Sequence, residues 1–403
     1  MDWSRLPRRS RWGAWITTLA LLGAAGCAPG FPPAAGPGRP GARCDSAPAA
    51  VGGPLPVNLV DVSAVQGTRQ AWVVAGRPDD PFGEGNHLLR VSGRTWTTTA
   101  TFGRDVHLSG VSAVSGNAAW VWGNEGHDDQ WNTFRPFLAL VSGGVITRPL
   151  AGLPGGVGVS ILASDGAADT WLSGGIRGRH GQTSAVVARW DGTSWHEIPA
   201  PPGEGATFSL SLSGPSDVWA AVSSGFDVNP WLAHWNGTAW SKAYTPPASL
   251  AVGDRIPQDM TAASSPGRAW VTYTEAGTNS GSNEHNPIPQ TISAYFDGST
   301  WRRVPVRATS EGLAGVTMSG GDAWAISASH NINGVLYSHL GNAWCVQHLP
   351  HGRHLACAPT SISAASPTYV IAVTGQSSGR CRLSYAFVYD GHHWRAVNPR
   401  PAS

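Results

Sequence analysis

From about residue 56 onward, one pattern of apolar and polar positions returns seven times along the chain. Each unit opens on small and β-branched residues, as in Val62-Ser63-Ala64-Val65. A short polar turn follows, then an apolar stretch led by an aromatic residue. A loop of variable length leads into a third stretch, which ends in a turn of the form aromatic-Asp/Asn-Gly-x-x-Trp. The final stretch starts at that Trp and often runs out into Pro. Short apolar segments bounded by Gly, Pro and Asn/Asp clusters predict strands rather than helices.

The aromatic residues that lead the second strands are Trp72, Trp120, Trp171, Trp219, Trp270, Trp324 and Tyr369. Their spacing of about 45–54 residues suits one four-stranded propeller blade per unit. The predicted fold is all-β: a seven-bladed β-propeller of four-stranded antiparallel blades over residues 56–403. Fourth-strand markers are Trp96, Trp195, Trp240, Trp301, Trp344 and Trp394, while blade two carries Gly143-Gly144-Val145 where its Trp would be. The hairpin turns read Trp190-Asp191-Gly192, Trp235-Asn236-Gly237, Phe296-Asp297-Gly298 and Tyr389-Asp390-Gly391. Asp-Gly and Asn-Gly tolerate the positive φ that tight hairpins need. An indole at a fixed place in each blade fills the wedge between neighbours, with its N–H free to reach a backbone carbonyl. The Trp series is therefore expected to be structural. Ring closure has two readings: blades meeting edge to edge, or a strand from Pro54 to Leu59 added to the last blade.

Composition agrees with many short strands joined by tight turns. The chain has 51 Gly, 31 Pro and 20 Trp among 403 residues, and 41% of residues are hydrophobic. The net charge is only +2, and Lys242 is the sole lysine. No basic stripe of the kind that neutralises phosphates is present, so nucleic acid is not an expected partner.

The N-terminus departs from the repeat. Arg5, Arg8, Arg9 and Arg11 precede an apolar run from Trp12 to Ala25, which suits an export signal and is short for a bilayer span. The run ends in Leu22-Gly23-Ala24-Ala25-Gly26-Cys27. This resembles the lipobox of bacterial lipoproteins, with Ala24 where that family more often has Leu. The resemblance implies cleavage before Cys27 and a lipid on it, hence residues 1–26 as signal peptide and the outer face of the cell membrane as the location. A secreted protein is the alternative. Arg8-Arg9 also raises a twin-arginine signal, though Ser10 and Arg11 match that motif poorly. Residues 27–55 are rich in Pro, Gly and Ala and read as a flexible tether.

The turn aspartate and following Trp resemble the Asp-box hairpin of sialidase-type propellers, although Asp and Gly are adjacent here. The whole unit resembles kelch-type propellers and, more closely, the Trp-rich propeller lipoproteins of high-GC Gram-positive bacteria. That resemblance covers the body of the chain and speaks to fold, since propellers host many unrelated activities. Arg255-Ile256-Pro257 matches a sialidase tripeptide but stands at the start of blade five instead of near the beginning.

Function is expected on the loops between second and third strands, which vary most. The first holds Asp79, Asp80 and Glu84, the second His127, Asp128, Asp129 and Trp131, and the fifth Asn283, Glu284 and His285. These are candidate ligand residues. No metal or other cofactor is expected; were one bound, calcium through carboxylates and carbonyls would suit better than zinc, for which no Cys/His spacing exists. No Gly-x-Ser-x-Gly elbow or other catalytic set is visible, so no catalytic residue is assigned. His196 and His234 fall in strands and read as structural; His392 and His393 fall in the last hairpin turn. With Cys27 lipidated, Cys44, Cys345, Cys357 and Cys381 remain as disulfide candidates. Cys357–Cys381 with Cys44–Cys345 is the favoured pairing, and Cys345–Cys357 its rival.

Together these features predict a monomeric, membrane-anchored binding or scaffold propeller whose loop face meets an extracellular protein, glycan or cell-wall component. The alternative is a propeller-type glycoside hydrolase or lyase acting on an extracellular glycan.

Overall fold

The computed structural model divides the chain into two compact units, Met1–Pro40 and Gly41–Ser403, and every described residue belongs to the second. The residues described run from 58 to 401, without 77–84, 94, 127–134, 167, 178–182, 202–205, 224–229, 247–254, 278–289, 307–312, 328–333, 351–358, 376–383 and 398–399. Cys27, expected to carry a lipid, and residues 27–55, expected to form a tether, lie outside the described residues.

Seven antiparallel sheets follow one another along the chain, each built from four consecutive strands. Blade one is β1 (Asn58–Ala64), β2 (Gln70–Gly76), β3 (His87–Ser92) and β4 (Thr95–Thr101). Blade two is β5 (Val106–Ser115), β6 (Ala118–Glu125), β7 (Arg135–Ser142) and β8 (Val145–Thr147). Blade three is β9 (Val157–Ser164), β10 (Thr170–Arg177), β11 (Thr183–Trp190) and β12 (Trp195–Ile198). Blade four is β13 (Ala206–Leu212), β14 (Val218–Ser223), β15 (Trp231–Trp235) and β16 (Trp240–Tyr244). Blade five is β17 (Arg255–Ser265), β18 (Arg268–Gly277), β19 (Gln290–Phe296) and β20 (Trp301–Pro305). Blade six is β21 (Leu313–Ser319), β22 (Asp322–Ser327), β23 (Gly334–His339) and β24 (Cys345–His348). Blade seven is β25 (Ser361–Ser366), β26 (Tyr369–Thr374), β27 (Tyr385–Tyr389) and β28 (Trp394–Val397). This is the seven-bladed propeller that the repeat predicts, and no helix occurs among the described residues.

The second strands form the cores of the blades. β26 is buried at every position and β2 at all but its first, as expected for a strand sandwiched between neighbouring blades. All seven second-strand aromatics are buried. At about 150–250 Å² each and roughly 25 cal/mol/Å², burying one indole contributes about 4–6 kcal/mol before ordering costs. The rings meet in clusters: Trp120 lies 5.5 Å from Trp190 and 5.2 Å from Trp195, and Trp171 lies 5.7 Å from Trp235. Fourth-strand indoles reach back to the preceding blade, Trp195 Nε1 donating to Pro149 O at 3.0 Å and Trp240 Nε1 to Pro199 O at 2.8 Å. Blade two, which lacks this Trp, has a short and fully exposed fourth strand, with Val145 62% exposed.

The innermost strands solve a different problem. A sheet edge leaves alternate backbone N–H groups without a ladder partner. Here side-chain oxygens from the adjoining blade accept them. Ser63 Oγ takes the N–H of Ala113, Ser209 Oγ that of Ala262, Ser211 Oγ that of Ser264, and Thr317 Oγ1 that of Ala364. Ser363 Oγ takes Ala64 N–H at 2.9 Å and Ser361 Oγ takes Val62 N–H at 3.3 Å, which joins blade seven to blade one.

Closure follows neither sequence reading in full. Asn58 and Leu59 belong to β1 and pair with Gly76 and Ala75 of their own blade. An extra strand comes instead from the other terminus: β29 (Arg400–Pro401) adds in parallel outside β4, with Arg400 opposite Thr95 and Pro401 opposite Trp96.

Candidate functional site

Because every blade repeats the same up-and-down order, the turns joining first to second and third to fourth strands share one end of the ring. The loops joining second to third strands, and those joining blades, share the other. The chemistry of the described residues differs between these ends.

At the tight-turn end Asp191, Asp297 and Asp390 are committed to their own turns, while Asp165 of the β9–β10 turn is exposed. Asp191 Oδ1 accepts from Thr193 N–H, Thr193 Oγ1 and Ser194 N–H. Asp297 Oδ1 accepts from Ser299 N–H, Ser299 Oγ and Thr300 N–H. Asn236 makes the same set in blade four, and Asp390 takes the N–H groups of His392 and His393. Backbone donors, from Ser194 in one turn and Thr300 in the other, hold the Asp191 and Asp297 carboxyls far below the usual carboxylate range. His196 is exposed but bonded to Asp191 Oδ2 at 2.6 Å, and His392 and His393 are exposed.

A second use of aspartate at this end escapes the repeat as read from aromatics alone. Asp169, Asp217 and Asp322 each stand two residues before a second-strand Trp. Asp169 Oδ1 accepts from Trp171 Nε1 at 3.1 Å and from Arg189 Nε at 2.8 Å. Asp217 accepts from Trp219 Nε1, His234 Nε2 and Ser213 Oγ. Asp322 Oδ1 accepts from Tyr337 Oη at 2.6 Å and from His339 Nδ1 at 2.7 Å. The signal, Asp-x-Trp facing a third-strand Arg or His, was present in blades three, four and six. Burial pushes the Asp217 carboxyl up, but the bonds from His234, Ser213 and Trp219 outweigh it, and its pKa is lowered overall.

The opposite end carries the candidate ligand loops. They leave the frame at Gly76 and rejoin at His87 in blade one, at Glu125 and Arg135 in blade two, and at Gly277 and Gln290 in blade five. Asp79, Asp80, Glu84, His127, Asp128, Asp129, Trp131, Asn283, Glu284 and His285 all lie outside the described residues. Their shared end follows from strand order alone. Described polar residues at their bases are His87, whose Nδ1 lies 3.1 Å from Thr101 Oγ1, and the Arg148–Glu125 pair at 3.0 Å. Gly85 bridges Leu108 backbone to backbone, tying the base of the first loop to β5 of blade two. Among the described residues no group of three or more His, Cys, Asp or Glu is placed to hold a metal ion. Arg255-Ile256-Pro257 is the start of β17, paired in register with Ala276 and Glu275, as an ordinary inner strand.

Of the cysteines, only Cys345 is described. It opens β24. Cys44, Cys357 and Cys381 also lie outside them.

No protein-family profile matches the sequence. No curated protein matches it either. Solved structures do share the fold. A GH74 xyloglucanase from Xanthomonas campestris superposes with a TM-score of 0.54 at 14% identity, over 86% of this chain and 55% of that one. Polysaccharide lyase Uly1 gives 0.56 at 9% identity, over 85% of this chain and 92% of that one. An acylaminoacyl peptidase from Pyrococcus horikoshii gives 0.51 at 9% identity, over 85% and 52%. The chain thus spans about half the length of the xyloglucanase and of the peptidase. At these identities the likeness concerns the fold.

Proposed function

We propose that this propeller acts on an extracellular polysaccharide through the loop end of blades one, two and five, as a glycoside hydrolase or polysaccharide lyase. The observation that carries this reading is the division of labour between the two ends. Asp191, Asp297 and Asp390 of the tight-turn end are taken up by turns, and Asp169, Asp217 and Asp322 by strand side chains, whereas strand order puts the bases of the acid- and His-bearing loops at the other end. The fold shared with a xyloglucanase and a polysaccharide lyase supports a glycan as the ligand. Hydrolysis requires two carboxyls roughly 5–10 Å apart across the glycosidic bond, and Asp79, Asp80, Glu84, Asp128, Asp129 and Glu284 are the acids available to supply them. His127 or His285 would serve a lyase as the base that removes the proton beside a uronate carboxyl.

A second reading, binding without turnover, is favoured by the absence of any catalytic motif in the sequence. Affinity electrophoresis of the full chain through neutral and uronate-containing polysaccharides, with assays for new reducing ends and for unsaturated uronate, separates the two. Retardation with product supports the enzyme; retardation without product supports the binding module. If no polysaccharide slows the protein, or if Asp79→Ala, Asp128→Ala and Glu284→Ala together leave retardation unchanged, the glycan reading is lost.

We also propose that Cys27 carries a lipid that tethers the ring to the outer face of the membrane, as its lipobox-like context supports. Phase partitioning into detergent tests this: Cys27→Ala should move the protein to the aqueous phase.

A further inference from the structure

The inner rim of the ring contains one acid where other blades use a hydroxyl. Asp61 of β1 occupies the place that Ser209 holds in β13 and Ser361 in β25. Each accepts the backbone N–H of the next blade's inner strand: Asp61 Oδ2 from Val111 at 2.9 Å, Ser209 Oγ from Ala262 at 3.2 Å, Ser361 Oγ from Val62 at 3.3 Å. The structural task is thus met by serine elsewhere. Asp61 does more, because its Oδ1 also accepts from Ser361 Oγ at 2.6 Å. One carboxyl therefore ties the last blade, the first blade and the second. It sits where the last blade adjoins the first and the ring is sealed.

We propose that Asp61 is a proton-operated latch on this seam, holding blades seven, one and two together more tightly when its carboxyl carries a proton than when it is ionised. No cation balances it among the described residues packed against β1. β2 and β25 carry no titratable group, β5 contributes only His107 and β26 only Tyr369. The phenol of Tyr369 is pushed by burial up to about 12 and stays neutral. Asp61 is half-buried at the inner rim, among packed inner strands. Desolvation there outweighs the bonds from Ser361, Val111 and Val62 and raises its pKa above the ordinary carboxylate value. The proton, taken from solvent, has a place to go: on Oδ1 it faces Ser361 Oγ, whose hydroxyl turns from donor to acceptor, while Oδ2 keeps the Val111 N–H.

The sign follows from linkage. A carboxyl whose folded pKa is raised stabilises the fold below its unfolded pKa, and that contribution is lost as pH rises through the folded value. Acidification tightens this seam, against the trend set by the turn aspartates.

The test compares the full-length wild-type chain with Asp61→Ser, which copies blades four and seven, and with Asp61→Asn, which keeps the shape. Amide exchange in peptides spanning β1 and β5 is measured from about pH 7.5 to about pH 4.5, a range above and around ordinary carboxylate pKa values, and divided at each pH by that of the variant. This cancels the intrinsic pH dependence of exchange. The wild-type to variant ratio should fall several-fold on acidification in β1 and β5 and stay constant in β16 and β20. A ratio that is flat in the seam, or that rises on acidification, overturns the latch.

Discussion

The imidazole of His234 stacks on the indole of Trp219, with ring centroids 4.3 Å apart, and both side chains donate to Oδ1 of Asp217. A carboxylate two residues before a core indole thus fixes the indole and a third-strand His at once. Removing it strands the indole N–H of Trp219, the imidazole of His234 and the hydroxyl of Ser213. Asp217→Ala should cost about 1–3 kcal/mol, the range for unsatisfied buried donors, read as a lower urea midpoint at unchanged m value. Asp217→Asn retains an acceptor for Trp219 and should cost less. Equal losses in the two variants would show that the charge, and not the acceptor, matters.

The turn aspartates should add to the acid sensitivity of the fold. Asp191 and Asp297 are held well below the usual carboxylate range by backbone donors, and Asp217 is lowered too. For a carboxyl whose folded pKa is depressed, the stabilisation is present above the unfolded pKa, about 3.9, and is lost as pH falls through the folded value. Stability should therefore decline below about pH 4. Asn236 already fills this turn position in blade four. Asp191→Asn combined with Asp297→Asn should keep the fold and flatten the acid limb of a plot of unfolding free energy against pH. An unchanged acid limb would locate the acid sensitivity elsewhere.

Much of the ring was legible because the strongest sequence signal, the indole ladder, is also what fills the gaps between blades. Trp72, Trp120, Trp171, Trp270 and Trp324 each bury their whole surface, and residues that do so at fixed spacing announce themselves. The inner rim was less legible. Ser63, Ser209 and Ser363 are small polar residues in an apolar stretch, and their task is to satisfy backbone donors of a different blade, some fifty residues or three hundred away. No local periodicity encodes that. Asp61 is hard to read for the same reason, its partners lying in blades two and seven, although it is the one acid in an otherwise uncharged inner strand. β29 pairs only two residues, too few for any pattern to mark. The loop acids are marked in the sequence only by the variability of the loops that hold them, a signal that gives no mutual distance.

Glycine at the hairpin turns is a backbone requirement. Gly237 has φ of 99°, and a Cβ there would come within 2.9 Å of Ser216 Cβ. Gly237→Ala should cost about 1–3 kcal/mol from the left-handed conformation, with the contact adding to it. Gly103, whose added Cβ would meet nothing within 4 Å, is the control. Gly103→Ala should leave the thermal midpoint within a degree or so of wild type. A Gly237→Ala protein as stable as the control would mean that the turn relaxes into another type.

The back-reaching indole bond can be separated from indole packing. Trp195 is 2% exposed, donates to Pro149 O and packs against Trp120 and Trp190. Trp195→Ala should cost about 3–5 kcal/mol, as for other buried aromatics. Trp195→Phe keeps a ring, loses the donor and should cost about 1–2 kcal/mol. Trp240 makes the same bond to Pro199 from a more exposed position, so Trp240→Ala should cost less than Trp195→Ala. Equal losses at the two sites would assign the stabilisation to the shared hydrogen bond rather than to burial.

The C-terminal strand gives the outer half of ring closure. β29 runs parallel to β4, pairing Arg400 with Thr95 and Pro401 with Trp96, and so caps the outer edge of blade one with residues that follow blade seven. Only two residue pairs are formed, and Pro401 has no N–H to give, so the strand contributes few hydrogen bonds. Its effect is topological: it links the last blade to the first at the rim, while Ser361 and Ser363 link them at the centre. Deleting residues 400–403 should leave the fold intact, because the inner links and the packing of Ile371 and Val373 of blade seven with Val62, Val73 and Ala75 of blade one remain. Amides of β4 should exchange faster, by about tenfold if the lost links are worth about 1.4 kcal/mol, with blades three to five unchanged. Combining the deletion with Ser363→Ala removes links at both radii of the same seam. Because the two share that seam, the double variant should lose more stability than the sum of the single variants. Simple additivity would show that the rim and the centre of the ring close independently.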